Sequence, residues 1–271
     1  MVMLFEGTDQ QFSMDGYMKK NLDTAKDVIK KDWDMIFVYD GYEGSGKSTK
    51  ACQDAFYCDQ TLTFDRYAFN SKQFKQVVHR AEPYQAVIYD EAYSGLSSRG
   101  AMSKINKSLV SMLTEIRQKN LFVFIVLPCF FDLDKYVALW RSRALVHVYT
   151  GDKFQRGFFE FYNMDRKKEL YIKGKKMYEY YVTKPNFRGR FTKHFPLDMD
   201  EYKKLKLSAL SGRVAKQQTK EEEVAFLERL FIHLQMNDVG LNHQQKMSIS
   251  GHTQATYYRR LKELKEEGVL V

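Results

Sequence analysis

The densest chemistry in the chain sits in eight consecutive residues, Gly41-Tyr42-Glu43-Gly44-Ser45-Gly46-Lys47-Ser48. Glycines at 41, 44 and 46 allow positive φ, so successive backbone N–H groups can converge on an anion. Lys47 adds a point charge for β- and γ-phosphate oxygens, and the Ser48 hydroxyl is a magnesium ligand. With Ser45 and Thr49 in the same turn, this is a complete Walker A pattern, GxxxxGK[ST], and implies ATP and Mg2+ as cofactors. The apolar run Val87-Ile88-Tyr89 ends in Asp90-Glu91. Such a pair suits a carboxylate (Asp90) holding the magnesium shell beside Ser48 and a general base (Glu91) polarising the attacking water. An ordinary acidic turn is the plainer alternative.

Charge developing on a transferred phosphoryl group calls for an arginine, often supplied in trans by a neighbouring subunit. Arg99, Arg117, Arg141 and Arg143 are the candidates, with Arg141 and Arg143 preferred, although a surface or ion-paired role suits each one singly. A polar sensor belongs at the end of the strand after Leu121, but Pro128 and Cys129 stand there, leaving Asp132 or Asp134 as substitutes.

These residues need a scaffold. Met18, Leu22, Ala25, Val28 and Ile29 recur at helical spacing over 15–31. Buried-strand runs follow at 35–39, 86–89 and 121–126, with helices expected from Lys47 to about Tyr57 and over 102–118. Alternation of this kind predicts an α/β core with a parallel sheet over 1–150. Residues 145–182 hold short Tyr-, Phe- and Val-rich runs broken by Gly151-Asp152, Asn163-Met164-Asp165 and Lys173-Gly174-Lys175, which predicts antiparallel hairpins and a basic β-hairpin extension over 151–196. Residues 166–193 carry ten Lys or Arg against Glu169 and Glu179, with Tyr171, Tyr178, Tyr180, Tyr181, Phe187 and Phe191 interleaved. That composition fits a nucleic-acid surface. It also fits a hairpin whose rings turn into the core.

Residues 197–218 read as a linker or surface helix. In 219–271 a helix from about Glu221 to Gln235 presents Val224, Leu227, Phe231 and Leu234, with Leu230 beside them. Ser250-Gly251 makes a turn before a second stripe, Tyr257, Leu261 and Leu264, and Gly268 caps that last helix. Thr253, Gln254, Thr256 and Arg260 then face solvent where a recognition helix reads base edges. A packing module with no DNA role has the same stripe, and with Val271 last no full β-wing is expected.

The formal charge of +9 points to a polyanionic partner, nucleic acid or a membrane surface. Cys52, Cys58 and Cys129 have neither CxxC spacing nor an even count, which disfavours a disulfide scaffold or zinc site and fits a reducing cytosol. The N-terminus lacks a signal-peptide pattern. The longest apolar run, Leu121 to Phe131, is about half a membrane span. A cytoplasmic location follows as an expectation (host cytoplasm for a viral protein).

On the loop at 41–48, Asp90-Glu91 and Glu115-Ile116-Arg117-Gln118-Lys119-Asn120, residues 33–150 resemble the additional-strand, catalytic-glutamate branch of P-loop ATPases. Within it the chain is most similar to the zonula occludens toxin-like and DNA-translocating viral or plasmid ATPases, but without their Thr-Gln sensor or membrane span. The resemblance implies a RecA-like P-loop NTPase core with a C-terminal all-α (winged) helix-turn-helix domain. It also implies an ATP-hydrolysing, DNA-acting motor of packaging or translocation type that works as a homo-oligomeric ring. A replication or helicase-loading ATPase uses the same parts. A nucleotide-switched DNA-binding regulator is the alternative of another class.

Overall fold

A run of apolar residues with no polar interruption can be buried on both faces only inside a parallel sheet covered by helices. Met35–Asp40 (β3) meets that condition, buried at every position. The computed structural model describes residues 1–90, 110, 112–113, 116–236, 240–251 and 253–269, and they fall into two compact units, Met1–Ala209 and Leu210–Val271. In the first unit β3 lies in a seven-stranded sheet with Tyr67–Ala68 (β4), Ala86–Asp90 (β5), Phe122–Val126 (β6), Ala144–Tyr149 (β7), Phe158–Tyr162 (β8) and Phe187–Arg190 (β9). The order is β4-β5-β6-β3-β7-β8-β9. The strands from β4 to β7 run parallel, and β8 and β9 add on antiparallel. A separate ribbon pairs Val2–Leu4 (β1) with Phe12–Met14 (β2).

Alternate residues of each strand feed opposite faces. Phe37, Tyr39, Ile88, Phe124 and Val146 pack with Gly16–Ile29 (α1) and Lys47–Cys58 (α2). Ile36, Val38, Val87, Tyr89, Val123 and Ile125 pack on the other side with Ser71–Arg80 (α3) and with Leu170 and Tyr171 of Met164–Gly174 (α4). Asp15 caps α1 by accepting from the N–H groups of Tyr17 and Met18. The α/β sheet with helices on both faces is as expected, and of the helix expected at 102–118 the described residues 110, 112–113 and 116–118 are helical.

The hairpin extension is corrected. Only β7–β8 is a hairpin of the expected kind, and with β9 it widens the central sheet. Asn163 does not break a strand. Its side chain accepts from the Arg166 N–H and starts α4, whose Leu170 and Tyr171 are buried at helical spacing. The polar stretch at 197–218 takes the helical option, inside Met199–Met236 (α5).

In the second unit the end of α5 packs with His243–Ile249 (α6) and Gln254–Glu266 (α7). Phe231, Tyr257 and Leu264 are buried together, with Ile232, Met247 and Leu261 around them. Val224 does not belong to this core, being 59% exposed. Asn242 and Gln245 form a capping box on α6, and Gly251 (φ +67°) and Gly268 (φ +72°) take the left-handed conformation after each helix.

Candidate functional site

The carboxyl end of β3 delivers the chain into the glycine-rich loop. Gly41 has φ +133°, and a β-carbon there would fall 1.9 Å from the Val148 carbonyl oxygen on β7, so no other residue fits. Gly44 (φ +76°) and Gly46 (φ +103°) complete the turn. Gly46 caps α2 without a side-chain oxygen, leaving the first-turn N–H groups and the positive end of the helix dipole turned to the loop. The Ser45 hydroxyl is buried in that turn with no hydrogen-bond partner among the described residues. The Lys47 ammonium donates to the carbonyls of Gly41 at 2.6 Å and Tyr42 at 2.8 Å. Burial lowers the Lys47 pKa, partly opposed by the charges of Asp40, Asp90 and Glu43.

Asp90 ends β5, and β6 lies between β5 and β3. Its carboxylate accepts from the Tyr202 hydroxyl at 2.8 Å and from Tyr67 at 3.4 Å, with the Lys206 ammonium 3.6 Å away. The Tyr202 hydroxyl also accepts from the Lys206 ammonium at 2.8 Å, so one phenol joins Asp90, an expected magnesium ligand, to a lysine. Burial and the neighbouring Asp90 charge push the Tyr202 pKa up, keeping it a neutral donor.

A second buried carboxylate, Asp40, precedes Gly41 and was not anticipated. It accepts from the Phe130 N–H at 2.8 Å, from the Tyr180 hydroxyl and from His147 Nδ1 at 2.9 Å, with that nitrogen protonated. His147 stacks on Tyr180 with ring centres 3.9 Å apart. Burial disfavours the charged imidazole, yet the Asp40 charge and hydrogen bond outweigh it, and the His147 pKa is raised. Asp40 could have been found as the polar residue closing an apolar run, and His147 as its counterpart in 144–148. Tyr202 and Lys206 leave no such signal, since a Tyr and a Lys four apart on a polar helix are commonplace.

The arginines expected as fingers are elsewhere. Arg141 is ion-paired to Asp34 at 2.5 Å and donates to the Leu113 carbonyl. Arg143 lies over Trp33, 4.7 Å from its ring centre, and its N–H bonds the Ile36 carbonyl. Ile36 is near the start of β3 and Gly41 follows its end, which puts roughly 17 Å of strand between them. Both arginines therefore brace the end of the sheet remote from this chain's own loop, a placement that argues against a finger in cis and does not bear on one supplied in trans. Glu91, Arg99 and Glu115 lie outside the described residues. At the proposed sensor position Pro128 accepts the Gly41 N–H at 3.4 Å, while Asp132 takes the Tyr178 hydroxyl and Asp134 the Tyr136 N–H.

Several aromatics in 166–193 face inward. Tyr171 and Phe191 are buried, Phe187 stacks on Phe161, and Tyr180 serves Asp40. Lys167 is fully buried and donates to the Ala138 carbonyl and the Ser142 hydroxyl, and burial lowers its pKa to about 7. On α7, Thr253 is the N-cap and Gln254 is exposed, while Thr256 bonds back to Thr253. Arg260 is committed to Glu228 at 2.7 Å, Glu263 at 3.1 Å and Glu267 at 3.3 Å, so it clasps α7 to α5. Its expected place facing solvent beside Thr253, Gln254 and Thr256 is corrected on that account. Arg259 is the more outward cation, its side chain 73% exposed.

A scan against protein-family models and searches of curated proteins and of solved structures return no match to this chain. Among the described residues no group of three or more His, Cys, Asp or Glu clusters for a metal, and no helix is long and apolar enough to cross a membrane.

Proposed function

We propose that this chain is a magnesium-dependent P-loop ATPase that acts on DNA as a motor of packaging or translocation type. One observation carries the nucleotide half: three positive-φ glycines lead into an uncapped helix start, and Asp90 ends a strand one removed from theirs in the sheet. The strand between them is the arrangement that an additional-strand branch implies. Backbone N–H groups of 44–48 and Lys47 would hold the phosphates, and Ser48 and Asp90 would hold the magnesium. Magnesium, when bound, neutralises charge on the β- and γ-phosphates. At present Lys47 donates to two loop carbonyls, which it exchanges for phosphate oxygens. Glu91, next in sequence to Asp90, is the proposed general base.

The DNA half rests on the α6–turn–α7 arrangement, with Gln254 and Arg259 directed outward and a net charge of +9. A homo-oligomeric ring is the assembly this reading implies. Lys47→Ala abolishes nucleotide binding, whereas Glu91→Gln keeps binding and loses turnover; wild-type hydrolysis by Glu91→Gln refutes the assignment of the base. The Tyr202 hydroxyl on Asp90 favours a second reading, a nucleotide-switched DNA-binding regulator with slow turnover. Turnover that rises several-fold with DNA identifies the motor, and slow, DNA-insensitive turnover identifies the switch.

A further inference from the structure

Beside the loop lies a cavity of about 800 Å³ that begins at Gly46 and Thr49 and is walled by the segment joining β7 to β8. That segment, Gly151-Asp152-Lys153-Phe154-Gln155-Arg156-Gly157, presents its residues in an uncommon way. Lys153 (φ +54°) and Phe154 (φ +58°) are consecutive non-glycine residues in the left-handed region, a conformation that costs energy and is held only where the surroundings impose it. The outcome is that the Phe154 ring is 88% exposed at the rim of the cavity. Gly157 (φ +100°) could not carry a β-carbon, which would lie 2.7 Å from the Phe191 carbonyl oxygen, so the far end of the segment is pinned to the strand edge. Arg156 is then directed back to the loop: a β-carbon placed on Gly44 would lie 3.6 Å from its Nη2.

We propose that the segment 151–157 is the nucleoside-binding half of the site, with Phe154 the stacking platform for the base and Arg156 an in-chain contact to the phosphates. The proposal rests on the loop at 41–48 binding a triphosphate and extends it to the rest of the nucleotide. The geometry is continuous. A ligand whose phosphates sit on Gly44 and Gly46 has its sugar and base leading past Thr49 into the space that these walls enclose, between Phe154 on the rim and Phe191 behind Gly46. An exposed ring costs nothing to leave uncovered by protein when a base covers it. A base held by a ring face is gripped by stacking, which every base can offer. Discrimination between ATP and GTP by this chain is therefore weak, within a few-fold. Arg156 supplies its phosphate contact from the same chain, separately from any arginine that a neighbouring subunit brings.

The test compares two ligands, ATP and inorganic tripolyphosphate, by calorimetry on the full chain. Wild type binds ATP more tightly than tripolyphosphate, and Phe154→Ala removes roughly tenfold of ATP affinity while leaving tripolyphosphate affinity unchanged. Arg156→Ala weakens both ligands alike. Phe154→Trp retains ATP affinity, and its added fluorescence is quenched by ATP and not by tripolyphosphate. At a position this exposed none of these variants threatens the fold. Phe154→Ala with unaltered ATP affinity, or with equal loss for both ligands, overturns the stacking role while leaving the phosphate loop intact. If wild type binds neither ligand, the phosphate-loop reading fails and the proposal fails with it.

Discussion

If Ser48 and Asp90 hold magnesium, the Tyr202 hydroxyl has to leave Asp90 first, and that makes Tyr202→Phe an informative substitution. The hydroxyl donates to Asp90 at 2.8 Å and accepts from Lys206 at 2.8 Å. The ring is separately held against Tyr67, Phe69 and Phe195, so the phenylalanine variant keeps its packing and loses only these two polar contacts. A hydrogen bond to a charged group is worth about 1.5–3 kcal/mol net, all of it favouring the metal-free arrangement. Removing it tightens magnesium binding by roughly tenfold or more. The lower end is expected, because Tyr67 at 3.4 Å and Lys206 at 3.6 Å remain beside the carboxylate. Lys206→Met has a smaller effect in the same direction, about two- to fivefold, since its head is partly solvated. The assay is a magnesium titration with a non-hydrolysable ATP analogue, followed by calorimetry, with metal-free melting curves as the control for folding. A Tyr202→Phe midpoint equal to or weaker than wild type would show that the phenol does not compete with the metal, and the arrangement of Ser48 and Asp90 would then need another explanation.

Three further outcomes follow from buried charge and helix contacts. Asp54 is paired with Lys50 at 2.5 Å and receives the Tyr39 hydroxyl, both ions fully buried, so Asp54→Ala destabilises by about 3–5 kcal/mol in denaturant melts, whereas Lys50→Met/Asp54→Leu recovers most of it; a single-variant cost below about 1 kcal/mol refutes this. Lys167, with its pKa lowered to about 7, binds a proton in the unfolded chain but not in the folded one between that value and the ordinary 10.5, so stability rises with pH across this window by up to about 1.4 kcal/mol per unit, and Lys167→Met flattens the rise. In fragment 210–271, Arg259→Ala shallows the salt dependence of DNA binding while Arg260→Ala lowers thermal stability; equal salt slopes for Arg259→Ala and wild type count against a phosphate contact there.

The sheet and the loop were legible because their signals are local. Uninterrupted apolar runs at 35–39, 86–89 and 121–126 have no soluble alternative to burial, and three glycines at set spacing before Lys47 constrain the backbone within one turn. The region after Tyr149 was misread where two periodicities compete. Asn163-Met164-Asp165 serves equally as a turn or a helix start, and the choice is made by what Leu170 and Tyr171 can bury against Phe130 and Leu133 from a distant part of the chain. Arg141 and Arg143 were singled out as cations flanking the strand at 121–126 that could reach a neighbouring subunit; in their own chain they precede the amino end of β7, while the loop sits beside its carboxyl end. Distance along a chain says nothing about which end of a strand faces the ligand.

The tyrosines carry the deeper lesson about this site. Interleaving with lysines suggested that Tyr180 stacks on bases, but it spends its hydroxyl on the carboxylate that ends β3, as Tyr202, outside that stretch, does on the one that ends β5. Asp40 and Asp90 are almost wholly buried, and a buried carboxylate needs partners for its lone pairs. Arginines would have met that need with positive charge and cancelled the local field. Phenols meet it while remaining neutral, because burial beside a carboxylate raises their pKa further from the physiological range. The negative charge of both aspartates is therefore preserved at the carboxyl edge of the sheet, where the nearby cations are Lys47 and Lys206, together with a His147 biased to protonation. Negative charge held in this way at the foot of a cationic loop is what the proposed magnesium–nucleotide complex would require, and on that proposal it accounts for the residues with no catalytic motif of their own around the two strand ends.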